Sequence, residues 1–351
     1  MTGISIDDQH AAPSITTYLK EVISGLDVRP LVPGASGDHA SIAAQVFAVL
    51  TSRDFCYLGK ARAAVYRDEV VGSIVEAVRR GDPIRFFFDI GGGYHASIRP
   101  GEEDLLFDVG LAELLVLRQI ADFATRVSEL YAGGVRFSLV IDNMCALLVN
   151  DIPLEKTEGY CAALRELIRS VGVGNLVDVL VESEHFSVLD FERERARGCD
   201  PHDDIALTPK HYENVWRFLG RSCDEHEVSE RVRRYREVID ASERLLTPLI
   251  QGVHLTQRAT RTTLCFRPFR GGDSRIQCGT VGLTRNNKGK LCPVLLTTSN
   301  LPEYVLHRYC FPGLLPTSIS SVTYAEPMNL SATHAPVFQG DASARPSVEL
   351  R

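Results

Sequence analysis

Apolar residues recur along this chain in two patterns, one with helical spacing and one of short continuous runs. Runs at residues 84–90, 135–141 and 176–181 are almost entirely apolar and are bounded by turn residues. Such runs are typical of strands buried on both faces of a parallel sheet. Periodic segments at 15–26, 38–50, 66–80, 105–131 and 155–171 have helical spacing, and the segment 105–131 is expected to be broken near its start at Gly110. The charged stretch 187–245 is also predicted to be helical.

The alternation of these elements predicts the fold class, because strand, helix, strand, helix, strand implies a doubly wound, mostly parallel sheet. We therefore predict a Rossmann-like α/β fold with a smaller C-terminal α+β portion, in which residues 263–269, 275–282, 290–297 and 320–324 form strands. The predicted organisation is an N-terminal arm, an α/β domain, a β-rich portion packed on it and a loose tail, at residues 1–35, 36–250, 251–331 and 332–351.

Composition narrows the classes of function. The 38 Lys and Arg residues against 45 Asp and Glu give a net charge of −7, which argues against nucleic-acid binding. No apolar run approaches the roughly 20 residues of a membrane span, and no secretory signal begins the chain, so we expect a cytoplasmic protein. The nine cysteines include no C-x-x-C pair, and we expect free thiols and no bound metal.

Ligands of open α/β sheets bind beyond the carboxyl ends of the strands. Asp89 closes the first predicted strand, the pair Asp142 and Asn143 follows the second, and Glu182 follows the third. Acids at such positions also cap helices, so a single acid does not by itself indicate a functional site. The three ends together predict a site, with Asp142 and Glu182 as catalytic carboxyls and Asn143 as a substrate contact.

A glycine-rich turn follows the first strand. Its glycines allow close approach of backbone to a ligand and expose N–H groups to an anion. We predict that His95 transfers protons, since its pKa range suits that role near neutral pH. The predicted substrate contacts of this loop are Gly91, Gly92, Gly93, Tyr94 and Ser97.

Cations gather late in the chain, where the run Phe-Arg-Pro-Phe-Arg-Gly-Gly contains Arg267 and Arg270. Arginine forks suit phosphate or carboxylate groups, while a surface charge run is the alternative interpretation. We predict an anion-binding patch formed by Arg261, Arg267, Arg270 and Lys288.

Residues 104–118 and 120–142, followed by the helix 160–168, resemble the pyoverdine/dityrosine biosynthesis family of isocyanide synthases. The shared features are a helix that opens before Glu113, a Tyr-to-Gly helix end at Tyr131 and a strand that ends in Asp142. The chain departs from the family pattern at residues 92–97, at Gly110 and at Arg267, so the resemblance is to a divergent member.

The resemblance implies a secondary-metabolite enzyme that converts the α-amine of an amino acid into an isonitrile, with ribulose 5-phosphate as the source of the added carbon. It implies no cofactor, small-molecule substrates, no nucleic-acid or membrane partner, homo-oligomers and an oxygenase acting on the product. Two alternatives stay open. Asp89-Ile-Gly-Gly-Gly also resembles the first motif of S-adenosylmethionine-dependent methyltransferases, and a non-catalytic ligand-binding protein would fit the same scaffold.

Overall fold

The computed structural model describes most of the chain, with gaps. The described residues are 8–28, 38–56, 64–91, 95–96, 105–198, 207, 211–212, 215, 223–256, 264–267, 281–296, 301–319 and 321–328. Among them, no helix has the length and the apolar content needed to cross a membrane.

A five-stranded parallel sheet forms the centre of the molecule. Numbered along the chain, its strands are β1 (Ile84–Asp89), β4 (Val135–Ile141), β5 (Val177–Val181), β6 (Val253–Thr256) and β7 (Leu264–Cys265). The order across the sheet is β5-β4-β1-β6-β7, and every neighbouring pair is parallel. The chain first winds outward from β1 through β4 and then returns to its other side, which confirms the Rossmann-like doubly wound fold.

Helices cover both faces of this sheet, as the doubly wound order requires. Their bounds are α1 (Asp8–Ser24), α2 (His39–Leu50), α3 (Arg67–Arg80), α4 (Leu111–Ser128), α5 (Asn143–Asn150), α6 (Leu154–Ser170), α7 (Glu182–His185), α8 (Val188–Gly198) and α9 (Glu225–Leu246). Short 3₁₀ turns lie at Ala64–Tyr66 and Leu301–Glu303.

The two faces of β1 carry different side chains because successive residues of a strand point to opposite sides. Phe86 and Phe88 face α4, and the ring of Phe86 lies 5.3 Å from that of Phe123. Phe87 faces the other way and packs with Val140 and with Leu246 of α9. The apolar run of β1 is therefore buried on both sides, which is why it shows no polar alternation.

A smaller mixed sheet lies in the C-terminal part. Its order is β10-β11-β8-β9, with bounds Tyr304–Tyr309, Val322–Pro327, Val281–Arg285 and Leu291–Leu295. Leu283 and Tyr324 of this sheet belong to the same apolar core as Ile15 and Leu19 of α1. The N-terminal helix and the small sheet thus share one continuous core with the central sheet.

Several element bounds differ from the sequence prediction. The helix expected at 105–131 begins only at Leu111, and Leu105–Leu106 (β3) instead pairs with His95–Ala96 (β2). The helix Asn143–Asn150 and the strands Val253–Thr256 and Tyr304–Tyr309 were not predicted. Both strands are short, with four and six residues, and short runs carry little periodic signal. Because β6 and β7 complete the central sheet, that sheet extends beyond residue 250.

Candidate functional site

The candidate site lies where the strand order reverses, between β1 and β6. At such a point the connections leave the sheet in opposite directions, and a crevice opens beyond the carboxyl ends of the strands. Asp89 is the last residue of β1, and His254 lies in β6 in register with Phe87. Phe87, Asp89 and His254 therefore point to the same face of the sheet, which α9 covers.

Asp89 and His254 form a pair across the two strands. Nε2 of His254 lies 2.9 Å from both carboxylate oxygens of Asp89, and both side chains are partly buried. Burial by itself lowers the pKa of His254. The hydrogen bond to Asp89 and the negative charges of Asp89, Glu243 and Glu69 outweigh it, and the pKa is raised. The geometry favours an imidazolium held by a carboxylate at the edge of the crevice.

Asp142 follows β4, the neighbour of β1. Asp142 as a whole is partly exposed to solvent, but its Oδ1 atom is buried and has no hydrogen-bond partner. Burial, and then the charge of Asp89, raise the pKa of Asp142 to about 7. A carboxyl group with this pKa gains or loses a proton near neutral pH, which is the requirement for a general acid or base.

Glu182 follows β5 and is completely buried. The hydroxyl of Ser242, from α9, donates to its Oε1, while its Oε2 is buried without a partner. Burial and the charge of Asp142 raise the pKa of Glu182 to about 8, although hydrogen bonds from Ser242 and from the Met144 N–H act in the opposite direction. Glu182 is therefore mostly protonated at neutral pH.

Asn143 is also completely buried, and its bonds are all internal. Its amide nitrogen donates to Ser183 Oγ at 2.8 Å and to Thr157 Oγ1 at 3.3 Å, while its oxygen accepts the Ser183 N–H at 3.1 Å. These bonds tie the start of α5 to α6 and to α7. The side chain thus fixes the positions of the segments that carry Asp142 and Glu182.

Glu113 is the acid at the helix opening that resembles the isocyanide synthase family. Its side chain also bonds only to other groups of the protein in the contacts given below. Its carboxylate accepts the Gly110 N–H at 2.7 Å and the hydroxyl of Tyr160 at 3.2 Å. The first bond satisfies a backbone donor at the start of α4, as a helix cap does. In this fold Glu113 therefore stabilises a helix end.

The predicted glycine loop is described only in part. Gly91 follows β1 with φ of 91°, a conformation that residues with a side chain rarely adopt, so the turn there requires glycine. His95 is described by its backbone, which pairs with Leu106. Its side chain and the residues Gly92, Gly93, Tyr94 and Ser97 lie outside the described part.

The predicted cationic patch is also only partly described. Arg267 lies two residues after the end of β7 and is half-buried, and its backbone N–H donates to the carbonyl of Phe55 at 2.7 Å. Lys288 is exposed in the turn between β8 and β9 of the small sheet. Arg261 and Arg270 lie outside the described residues.

The sequence prediction missed His254, Ser242 and Glu243. The sequence shows His254 only as one scattered histidine, in a four-residue strand that the pattern did not reveal. The doubly wound strand order offers one signal for this strand, because such an order leads one to expect a fourth parallel strand after the long charged helical stretch. Within the described part of the chain, no group of three or more His, Cys, Asp or Glu residues has an arrangement that would hold a metal ion.

Comparison with known proteins gives one informative likeness. The chain matches no family model and no curated protein. Its fold is similar to the PvcA protein from Pseudomonas aeruginosa, with a TM-score of 0.60, 17% identity, and coverage of 81% of this chain and 99% of that chain. At this identity the likeness shows a shared fold.

Two aminoacyl-tRNA synthetase structures are far less similar. The tyrosyl-tRNA synthetase from Aeropyrum pernix has a TM-score of 0.33 at 12% identity, and covers 61% of this chain and 52% of its own. The tryptophanyl-tRNA synthetase homolog from Entamoeba histolytica has a TM-score of 0.29 at 10% identity, with 68% and 54% covered. Scores at this level do not indicate a common fold.

Glu182→Gln is expected to make the protein more stable at alkaline pH. The folded state keeps the Glu182 proton up to a pKa of about 8, whereas the unfolded chain releases it near 4.5. Wild-type stability therefore falls as the pH rises through this window, by about 1.4 kcal/mol for each unit of pKa difference. Thermal unfolding followed by circular dichroism should show a gain for the variant at about pH 9 that shrinks toward about pH 5.

The matched control is Glu184→Gln on the same short helix. Glu184 is exposed, and its hydrogen bond with Arg165 lowers its pKa, so this variant should gain no alkaline stability. If the melting temperatures of wild type and Glu182→Gln run parallel across the pH range, the buried carboxyl does not hold its proton as described.

Proposed function

We propose that this chain is a biosynthetic enzyme of the isocyanide synthase type, acting on the α-amine of an amino acid with ribulose 5-phosphate as carbon donor. Two independent lines support the proposal. The sequence of residues 104–142 resembles that family, and the fold is similar to that of PvcA, an isocyanide synthase. A shared fold does not fix a reaction, so the argument depends on the site.

The observation that carries the proposal is the group of titratable side chains at the switch point. Asp89 and His254 lie at adjoining strands, and Asp142 lies beside them with a pKa of about 7. A carboxyl group whose pKa burial raises to near neutrality, beside a histidine–carboxylate pair, is characteristic of acid–base catalysis. A protein that only binds a ligand has no need of a carboxyl group whose pKa is raised by burial.

The first stage of the proposed reaction requires these two roles. The substrate ammonium must lose a proton before its nitrogen can attack the ketone carbonyl, and Asp142 accepts that proton. The resulting carbinolamine then loses its hydroxyl as water, and the imidazolium of His254 supplies the proton that this departure requires. One proton is taken up and one is given, so the product of this stage is a protonated imine (an iminium ion) and water.

The charges of the crevice also favour an amine substrate. The negative charges of Asp89 and Glu243 act on His254, and that of Asp89 also acts on Asp142; this negative potential attracts a substrate ammonium group. The phosphate of the sugar requires cations, and in this proposal Arg267 supplies one of them. Arg261 and Arg270 complete the predicted patch.

The test is a search for the product by mass spectrometry. The protein is incubated with each of the standard amino acids and with ribulose 5-phosphate, and the expected product has one carbon more and two hydrogens fewer than the amino acid. The label from ribulose 5-phosphate carrying ¹³C should appear in that carbon. Absence of any new product with all amino acids, or binding heat with S-adenosylmethionine in calorimetric titration, would reject the proposal.

Arg267→Ala is expected to weaken sugar-phosphate use while leaving the fold intact. A charge-assisted hydrogen bond contributes about 1.5–3 kcal/mol, so KM for ribulose 5-phosphate should rise by about ten-fold to a hundred-fold. The control is Arg308→Ala, since Arg308 is exposed on a strand of the small sheet. Equal KM values for the two variants would remove Arg267 from the phosphate site.

A further inference from the structure

Glu182 poses a physical problem that its predicted catalytic role does not solve. It has no exposed surface, so a substrate in the crevice does not reach it. Asp142 is partly exposed, and its charge acts on Glu182. Each carboxyl keeps one buried oxygen without a hydrogen-bond partner, Asp142 Oδ1 and Glu182 Oε2.

The groups that act on Glu182 are carboxyls and neutral side chains, and the imidazolium of His254 is paired with Asp89. From the neighbouring strands come Asp142 and Asp89, and from α5 comes the buried thiol of Cys145, whose pKa is raised by burial and by the charges of Asp142 and Glu182. From α9 comes the neutral hydroxyl of Ser242. Among the described residues, every charge that acts on Glu182 is negative.

We propose that Asp142 and Glu182 form a coupled carboxyl pair that retains a proton at neutral pH, with Glu182 as the buried store that exchanges this proton with Asp142. Two carboxylates close together in a low-dielectric interior cost more free energy than one carboxylate and one carboxylic acid. The retained proton removes that cost. The unpartnered oxygens, Asp142 Oδ1 and Glu182 Oε2, are the atoms available to carry it.

Ser242 fits a partner that changes its protonation state. A hydroxyl group donates to a carboxylate and accepts from a carboxylic acid, so the Ser242–Glu182 bond persists in both states. A guanidinium at this place would hold Glu182 permanently ionised. Burial and mutual repulsion raise the pKa of both Asp142 and Glu182, which agrees with a pair that retains one proton.

The pair leaves Asp142 ionised and able to accept a proton during turnover, because Glu182 holds the retained proton. When Asp142 accepts a proton from the substrate ammonium, the repulsion on Glu182 falls. When Asp142 passes that proton to solvent, the pair again holds the one retained proton, which Asp142 and Glu182 exchange, and no other bond is made or broken. This role during turnover rests on the proposed function, whereas the proton-sharing pair is a property of the protein without substrates. Glu182 is in this sense a positioning residue that acts through Asp142.

The experiment is infrared spectroscopy of the full chain without substrates, titrated from about pH 5 to about pH 10. The carbonyl stretch of a protonated carboxylic acid should persist at neutral pH and disappear at alkaline pH. Glu182→Gln should remove the component that titrates last. Asp142→Asn should retain that component but shift its midpoint down by about one pH unit or more, because the repelling charge is gone. Glu184→Gln is the control and should leave the bands unchanged.

The pair would be overturned if wild type showed no protonated-carboxyl signal at neutral pH. Bands that neither variant changes would overturn it as well. Asp142→Asn serves as the readout if Glu182→Gln does not fold. With the product assay in hand, Glu182→Gln should lower kcat by about ten-fold with little change in KM. If the infrared bands behave as expected and no isonitrile forms, the carboxyl pair stands and the proposed reaction is rejected.

Discussion

Replacement of His254 by Gln is expected to reduce turnover by about a hundred-fold or more, the usual contribution of a positioned general acid. The imidazole bonds both oxygens of Asp89 at 2.9 Å across the strand reversal. Glutamine retains a hydrogen-bond donor for Asp89 but does not exchange a proton near neutral pH. The loss should therefore fall on kcat, measured as product formed in the mass-spectrometric assay, while the melting temperature changes little.

His307 provides the matched control. It also bonds a carboxylate, Glu326, at 3.1 Å, but it does so in the small C-terminal sheet. His307→Gln should retain wild-type turnover under the proposed assignment. Equal losses in the two variants would show that a histidine–carboxylate pair supports the structure in both places and that His254 has no role in the chemistry.

Phe123→Ala is expected to destabilise the protein by about 3–5 kcal/mol, the usual cost of removing a buried aromatic ring from a core. Phe123 lies on α4 and is completely buried. Its ring centre lies 5.2 Å from that of Phe55, 5.3 Å from that of Phe86 and 5.8 Å from that of Phe137. Alanine leaves a cavity among rings that are fixed by two strands and cannot collapse into it.

Urea unfolding followed by tryptophan fluorescence or circular dichroism measures this loss. Tyr235→Ala, on α9, removes an aromatic ring that is 50% exposed and should cost less than about 1 kcal/mol. A loss for Phe123→Ala no larger than that of Tyr235→Ala would contradict the arrangement in which one aromatic cluster joins α4 to the central sheet.

The sequence predicted best the acids that follow the strand ends. Asp142 and Glu182 follow apolar runs long enough to be recognised as buried strands, and parallel strands must bring their carboxyl ends to one edge. The sequence also predicted that Gly91 begins a turn, and its positive φ explains the glycine. These predictions needed only local patterns and one rule of topology.

Other predictions failed or depended on more than local pattern. The helix expected from residue 105, with a break near Gly110, starts only after that break, at Leu111, where Glu113 caps the Gly110 N–H. The strand that carries His254 has only four residues, and no periodicity distinguishes so short a run. The capping role of Glu113 and the internal bonds of Asn143 likewise depend on partners that are distant in sequence.

The sequence by itself determined the doubly wound sheet and the edge at which its acids meet, because burial of apolar strands and the direction of parallel strands are local and topological constraints. Only the tertiary structure decided which groups face one another there. Asp89 meets His254 because β6 returns to the free side of β1, and Glu182 meets Ser242 because α9 covers the same face. Burial in that shared interior, together with the negative charges of the neighbouring carboxylates, raises the pKa values of Asp142 and Glu182, and no single segment contains that information.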